Sequence, residues 1–162
     1  MTDAPRRRVA IALGSNLGDR HAALAFATER LYRLLENARA SAAVDTDPEG
    51  AGLESQPLYL NSAVTGESAL SPRELLDALL QIERDFGRER PYPGAPRTLD
   101  LDLVLAGDEV VSEAGLTVPH PRFRTRFFVL GPLAEVAPDL VDPVTGLQVW
   151  ELLRNLLRDE AR

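Results

Sequence analysis

One stretch of the sequence reads Arg97-Thr98-Leu99-Asp100-Leu101-Asp102-Leu103-Val104-Leu105. Its alternation predicts a β-strand with the four leucines on one face and Asp100 and Asp102 on the other. The two aspartate Cβ atoms are then about 6.5–7 Å apart, so both carboxylates can reach one cation or a pair of cations. The alternative is an acidic solvated face, but aspartate is uncommon in strands and adjacent carboxylates repel each other. The stretch therefore favours a metal site on a strand whose other face is core.

Length and composition limit the class of protein. The chain has 162 residues and no cysteine, which excludes disulfides, thiolate catalysis and cysteine-ligated zinc. A chain of this size buries about two thirds of the surface that its unfolded form exposes, enough for one domain without cross-links. No apolar run approaches the roughly 20 residues of a membrane span. We therefore predict a monomeric cytoplasmic protein without a membrane partner, with one domain over residues 1–162 in which residues 1–7 form a tail.

All 18 residues in the lysine-plus-arginine count are arginine, and the formal net charge is −7. The absence of lysine excludes Schiff-base chemistry and the P-loop lysine, and the acidic total argues against a nucleic-acid partner. The arginines nevertheless cluster in two stretches, at Arg84, Arg88, Arg90 and Arg97 and at Arg122, Arg124 and Arg126. Such clusters are typical of phosphate or carboxylate recognition, although a solvated face explains any single member equally well. Because the first cluster leads into the acidic strand, a polyphosphate with Mg²⁺ is the simplest ligand for both features.

Periodicity and capping residues predict the order of the elements. Asp19 and Ser71 stand in N-cap positions, and Ser71 is followed by the proline and glutamate of a capping box. Glycine and proline predict long loops at 47–57 and 88–97. The predicted strands are 9–13, 40–46, 58–65 and the acidic strand, with a hairpin at Gly107-Asp108 leading into 109–111. The predicted helices are 20–37, 72–86, 126–130 and 149–157.

Three polar features have both a structural and a functional interpretation. The turn at residues 14–19 lacks the Walker and G-x-G-x-x-G patterns, so on its own it indicates architecture. In the strand at 58–65, Tyr59 and Asn61 share a face, which suits a flat heterocycle and equally an ordinary cross-strand pair. His120 lies between two prolines in a restricted backbone, and from that feature alone a surface or capping histidine is the favoured interpretation.

Six segments, in order and with similar spacing, resemble the 6-hydroxymethyl-7,8-dihydropterin pyrophosphokinase family. They are Gly14-Ser15-Asn16-Leu17-Gly18, Tyr59-Leu60-Asn61, Gly87-Arg88, Pro96-Arg97-Thr98-Leu99-Asp100-Leu101-Asp102, Val118-Pro119-His120-Pro121 and Phe128-Val129-Leu130-Gly131-Pro132-Leu133. The resemblance implies an α+β fold of ferredoxin-like arrangement, a mainly antiparallel sheet flanked by helices. It also implies an enzyme of folate synthesis that transfers the β,γ-diphosphate of ATP to the hydroxymethyl oxygen of the dihydropterin and releases AMP.

The resemblance also implies roles for individual residues. Asp100 and Asp102 bind two Mg²⁺ ions that bridge to the ATP phosphates, and Arg88 and Arg97 close over the triphosphate as catalytic arginines. Asn61 pairs with the pterin edge between the rings of Tyr59 and Phe128. The pterin site also includes Thr46, and the nucleotide site includes Gln81, Glu83, Leu103, Thr117, His120 and Arg126.

Two other classes of function remain as alternatives. The first is a regulatory module that binds nucleotide or pterin without turnover; the intact aspartate pair and Arg97 argue against it. The second is an RNA-binding module on a ferredoxin-like scaffold, but such modules use paired aromatic residues on their strands and a basic surface.

Overall fold

The computed structural model describes residues 5–46, 58–88 and 98–161, and only the main chain of Arg88. The predicted loop at 47–57, and Arg97 with most of the predicted loop at 88–97, lie outside these residues. The strands are β1 (Arg7–Ser15), β2 (Glu36–Ala40), β3 (Val44–Thr46), β4 (Tyr59–Ser68), β5 (Asp100–Ala106), β6 (Val111–Glu113) and β7 (Leu116–Val118). The helices are α1 (Arg20–Leu34), α2 (Pro72–Arg88), α3 (Phe127–Val136) and α4 (Val149–Glu160), with a short 3₁₀ helix at Phe123–Thr125.

The main sheet is antiparallel and has the order β2-β4-β1-β5, with β3 also paired to β4. With α1 between β1 and β2 and α2 between β4 and β5, this is the β-α-β-β-α-β arrangement of ferredoxin-like folds. The predicted fold class is therefore confirmed. β1 begins at Arg7, the last residue of the predicted tail.

The sheet separates two apolar cores. The first core lies under α1 and α2 and includes Leu31, Leu79, Leu101 and Leu103. The second core lies under α3 and α4 and includes Leu130. Alternate residues of β1 supply both cores, as the period of a strand requires. Among the described residues, no helix is long and apolar enough to cross a bilayer.

Both predicted N-caps are present. The Asp19 carboxylate accepts the N–H of Ala22 at 3.0 Å, which satisfies one of the free donors of α1. The Ser71 hydroxyl accepts the N–H of Glu74 at 3.1 Å, and the Glu74 carboxylate accepts the N–H of Ser71 at 2.9 Å. This reciprocal pair is the capping box that the sequence predicts.

Leu105 lies on the opposite face of β5 from the prediction. β5 pairs Leu103 with Ile11 and Leu105 with Ala10, so Val104 is the extra residue of a β-bulge. The bulge reverses the alternation, and Leu105 packs in the second core whereas Leu103 packs in the first. The prediction of four leucines on one face was therefore wrong at this residue.

Two further predicted elements differ from the structure. Helix α1 ends at Leu34, and the strand predicted at 40–46 is two strands, β2 and β3, both paired with β4. Between them Ser41 donates its N–H to the Ala63 carbonyl at 2.9 Å, and its hydroxyl accepts the Ala63 N–H at 2.9 Å. The Ser41 hydroxyl therefore accepts the hydrogen bond that a backbone carbonyl would accept in an uninterrupted strand. The predicted hairpin after β5 is also absent, because β6 pairs with β7 in a separate sheet.

Candidate functional site

Three neighbouring strands bring Asn61, Gly14 and Asp100 into one row. Gly14 of the central strand β1 pairs with Asn61 of β4 on one side and with Asp100 of β5 on the other. Directly opposed residues of antiparallel strands project to the same face. Asn61 and Asp100 therefore face the same side of the sheet, with Cα atoms about 10 Å apart, two strand spacings. The row therefore puts the Asn61 amide on the same face of the sheet as the acidic pair.

Asp100 and Asp102 are both exposed on this face, as predicted. Neighbouring protein atoms partly desolvate Asp100, and this burial together with the charge of Asp102 raises the pKa of the Asp100 carboxyl. A cation would relieve that repulsion. In the described part of the chain, no three His, Cys, Asp or Glu side chains are arranged to hold a metal. Two carboxylates without a third protein ligand fit Mg²⁺, which typically keeps waters and substrate phosphates in its coordination shell.

Glu83 of α2 contacts the strand between the two aspartates. Its Oε2 accepts the backbone N–H of Leu101 at 2.8 Å. β5 is the edge of the described sheet, so this N–H has no strand to donate to and the carboxylate satisfies it. Burial and the charges of Asp100 and Asp102 raise the pKa of Glu83, whereas the hydrogen bond from Leu101 opposes the rise. Glu83 therefore belongs to the electrostatic environment of the pair.

His120 lies beside β5 on a segment that also carries two arginines. Its backbone N–H donates to the Val104 carbonyl at 3.0 Å, and its Nδ1 accepts the N–H of Arg122 at 3.2 Å. Burial lowers the pKa of His120; Arg126 and Arg122 lower it further, and Asp102 opposes them. Asp102 therefore acts electrostatically on His120, which also lies within reach of the two arginines. The peptide bond before Pro119 is cis.

Asn61 is buried with only 5% of its surface exposed, and its amide donates to the hydroxyl of Thr46 on β3. Tyr59 is half-buried, and both burial and the charge of Asp100 raise the pKa of its phenol. Phe128 is partly buried against the second core, on the same side of the sheet, and the Arg126 guanidinium lies 5.4 Å from its ring centre. An amide and two aromatic residues on one side of the sheet suit a flat heterocycle with a hydrogen-bonding edge.

The remaining predicted residues are less closely connected to this face. The side-chain amide of Gln81 is bonded to Asp85 and Arg84 on its own helix. Thr117 is exposed on β7. The Leu103 side chain is buried in the first core, on the opposite side from the carboxylates, so only its main chain at the edge of β5 is available to a nucleotide. Arg88 ends α2 with its side chain undescribed, and Arg97 lies outside the described residues.

A hydrogen-bonded cluster joins the start of the acidic strand to the turn after β1. The Thr98 hydroxyl accepts the backbone N–H groups of Asn16 at 2.8 Å and Leu17 at 3.1 Å. The Ser15 hydroxyl, fully buried, donates to the Thr98 carbonyl at 2.7 Å. Sequence reasoning missed this cluster and the position of Gly14. The available signal was the Gly-Ser-Asn order after a buried strand, which on its own predicts only a turn.

Comparisons with a family model and with related sequences point to the same family. Residues 10–138 match the family model described as 7,8-dihydro-6-hydroxymethylpterin-pyrophosphokinase. A 2-amino-4-hydroxy-6-hydroxymethyldihydropteridine pyrophosphokinase from Bacillus subtilis is 40% identical over 150 residues, which cover 87% of this chain and 89% of that protein. The protein of the same name from Synechocystis is 52% identical over 101 residues, covering 62% of this chain and 52% of that protein. The match thus spans about half the length of the Synechocystis relative.

Among solved structures, the HPPK-DHPS protein of Plasmodium falciparum is similar with a TM-score of 0.74. The match covers 95% of this chain and 45% of that one, at 12% sequence identity. At this identity the likeness supports the fold alone.

Proposed function

Because the chain belongs to the 7,8-dihydro-6-hydroxymethylpterin-pyrophosphokinase family, we propose that it transfers the β,γ-diphosphate of ATP to 6-hydroxymethyl-7,8-dihydropterin. The hydroxymethyl oxygen forms a bond to the β-phosphorus of ATP. The bond from the β-phosphorus to the oxygen that bridges the α- and β-phosphates breaks, and AMP leaves with that oxygen. The hydroxyl proton is lost, so the products are AMP, the pterin diphosphate and a proton.

The observation that carries this proposal is the row Asn61, Gly14 and Asp100. In this row the Cα atoms of Asn61 and Asp100 are about 10 Å apart on one face of the sheet, which supports an amide for the heterocycle beside a carboxylate pair for Mg²⁺. Diphosphate transfer depends on positioning and charge neutralisation more than on a protein nucleophile. A rigid sheet that carries both groups supplies that positioning.

Asp100 and Asp102 would hold Mg²⁺, two ions in our proposal, and the bound metal would neutralise charge on the phosphate oxygens. Glu83 fixes the main chain between the two carboxylates through its hydrogen bond with Leu101. In our proposal His120 would add a hydrogen-bond donor for the nucleotide and Arg126 a positive charge; the effects of Asp102 and Arg126 on His120 support this assignment. We propose the same role for Arg88, Arg97, Gln81, Thr117 and the main chain of Leu103.

Tyr59 and Phe128 would stack on the two faces of the pterin, and Asn61, oriented by Thr46, would bond its edge. The charge of Asp100 contributes to the raised pKa of the Tyr59 phenol, which supports neighbouring pterin and metal sites. We further propose that residues 1–162 form one domain, as a monomer in the cytoplasm.

The direct test is phosphorus NMR of the purified protein with Mg²⁺, ATP and 6-hydroxymethyl-7,8-dihydropterin. We expect AMP and a pterin diphosphate to appear together. ADP with a pterin monophosphate would show that the γ-phosphate is transferred instead. Intact ATP with measurable nucleotide binding would contradict catalysis and favour the regulatory module.

The carboxylate pair is tested by Asp102→Asn, which preserves shape and removes the charge. We expect kcat to fall at least about 100-fold, equivalent to about 2.7 kcal/mol of transition-state stabilisation. Asp108→Asn is the matched control, because Asp108 is exposed in the turn after the other end of β5. Full activity of Asp102→Asn with an unchanged Mg²⁺ dependence would remove Asp102 from the site.

A further inference from the structure

Gly14 occupies the middle of the row although its backbone does not require glycine. The described glycines with positive φ are Gly18, Gly107, Gly115 and Gly146, and Gly14 is not among them. A glycine inside a strand weakens it by roughly 0.5–1 kcal/mol relative to alanine. Such glycines often mark a place where a ligand or another backbone approaches closely. The reason for glycine at this position is therefore the space that a side chain would fill.

The atoms nearest to Gly14 show which groups border the space that a side chain would fill. A Cβ built on Gly14 would lie 3.2 Å from the Asn61 Oδ1 and 3.7 Å from the Tyr59 Cδ1. At Gly66, by contrast, a Cβ would lie 2.8 Å from the Leu35 Cβ and 3.0 Å from the Glu36 carbonyl oxygen. Gly66 is thus explained by the packing of the protein against itself. At Gly14 the 3.2 Å approach to Asn61 is also tighter than an ordinary contact, but the two nearest atoms belong to side chains of the proposed pterin site.

On the far side of Gly14, the paired residue is Asp100. The substrate's reacting oxygen has to reach the carboxylates while its ring stays at Asn61, so the carbon arm between ring and oxygen crosses above Gly14.

We propose that Gly14 is a specificity-determining residue, whose missing side chain leaves a passage for the one-carbon arm that links the heterocycle to the reacting hydroxyl. This inference rests on the proposed function. A methyl group on the protein and a methyl group on the arm would compete for the same space. The site therefore accepts a flat heterocycle with a slim CH₂OH arm and discriminates against one with a branched arm.

The test compares wild type with Gly14→Ala. We expect kcat/KM for 6-hydroxymethyl-7,8-dihydropterin to fall at least about tenfold, which corresponds to about 1.4 kcal/mol. The Kd of the Mg²⁺ complex of α,β-methylene-ATP, measured by calorimetry, stays within about twofold, because the arm and not the nucleotide crosses the passage. Gly131→Ala is the matched control, since a Cβ there makes only ordinary contacts with the Phe127 ring, the nearest at 3.6 Å. A merely structural defect would weaken both ligands together.

A second measurement on wild-type protein covers the case in which Gly14→Ala does not fold. We expect 6-(1-hydroxyethyl)-7,8-dihydropterin, with one added methyl on the arm, to have a kcat/KM at least about tenfold below that of the normal substrate. Equal turnover of the two substrates, or unchanged kcat/KM in folded Gly14→Ala, would overturn the inference and leave the proposed function intact. No turnover by wild type at all would instead refute the proposed function, and with it this inference.

Discussion

The hydroxyl of Thr98 satisfies two backbone N–H groups of the turn after β1, those of Asn16 and Leu17. Asn16 is almost completely buried, so its N–H has little access to water when the hydroxyl is removed. Leu17 is 40% exposed and can exchange the hydroxyl for solvent. Of these two N–H groups, that of Asn16 therefore depends more on the Thr98 hydroxyl.

Thr98→Val, which keeps the shape and removes the oxygen, should lower the free energy of unfolding by about 1–2 kcal/mol. Urea unfolding measures it. Thr125→Val is the control, because the exposed Thr125 hydroxyl only donates to the Arg122 carbonyl at 3.2 Å; its loss should change stability by less than about 0.5 kcal/mol. Equal effects of the two substitutions would mean that the Thr98 cluster does not stabilise the turn.

At the scale of elements, α2 holds the acidic edge strand through Glu83. Replacement of Glu83 by leucine removes the acceptor of the Leu101 N–H, whereas replacement by glutamine retains an oxygen at the same position. We expect the Leu101 amide to exchange with solvent at least about tenfold faster in Glu83→Leu, because its local opening loses a hydrogen bond. Hydrogen exchange followed by NMR measures this. If the Leu101 amide exchanges no faster in Glu83→Leu, the hydrogen bond from Leu101 to Glu83 does not stabilise the strand. Equally fast exchange in Glu83→Gln and Glu83→Leu would also argue against it.

The buried carboxylate of Asp142 also connects two elements. It accepts hydrogen bonds from the Arg124 guanidinium, the Thr145 hydroxyl and the Val144 N–H, and so joins the 3₁₀ helix to the turn before α4. Asp142→Asn should lower stability by about 3 kcal/mol, because it leaves the Arg124 charge without its partner. Asp139→Asn is the control: its ion pair with Arg8 is exposed, and the loss should stay below about 1 kcal/mol.

The Asp142–Arg124 pair also predicts how the stability of the fold depends on pH. Burial raises the pKa of Asp142, but the hydrogen bonds from Arg124, Thr145 and Val144 outweigh it, and the net pKa lies below the ordinary value. The unfolded chain then binds the proton more readily than the folded one. The stabilisation is complete above the unfolded pKa of about 3.9 and is lost as the pH falls through the lower folded pKa. The stability gap between wild type and Asp142→Asn should therefore be constant near neutrality and narrow below about pH 4; a gap that persists in acid would contradict this origin.

In the molecule as a whole, the position of the candidate site follows from a sheet that carries an apolar core on each face. The first core under α1 and α2 fixes the strands, and the other face carries Asn61, Gly14 and the aspartates beside the second core. Phe128 and Arg126 enter from the start of α3. The candidate site is thus composed of residues from strands distant in sequence and from the start of a helix that is not part of the ferredoxin-like unit.

Local patterns in the sequence were enough to predict most elements. The caps at Asp19 and Ser71 and the shared face of Asp100 and Asp102 depend on neighbours within a few residues, and the structure agrees with them. The motif order also led to the correct family. Individual site roles stay predictions until variants are measured.

The errors have a common physical cause in cross-strand pairing. The alternation within β5 carries no sign of the bulge, because the extra residue is defined by the register with β1. The interruption at Ser41 depends on its two bonds with Ala63, 22 residues away. Likewise Gly14 is a turn residue in the sequence, and only its partners on β4 and β5 place it between Asn61 and Asp100.

The bulge at Val104 also bears on which changes of chain length β5 can accept. Removal of this one residue would leave Leu103 and Leu105 on the faces they now occupy, because regular alternation would be restored. Removal of Leu103 would instead move Val104, which packs in the second core, to the face of the first core. Yet the Val104 carbonyl is the acceptor for the His120 N–H. A one-residue deletion there would thus keep the flanking leucines on their faces but remove both a buried side chain of the second core and the acceptor of the His120 N–H, so the extra residue contributes to the packing and to the position of His120.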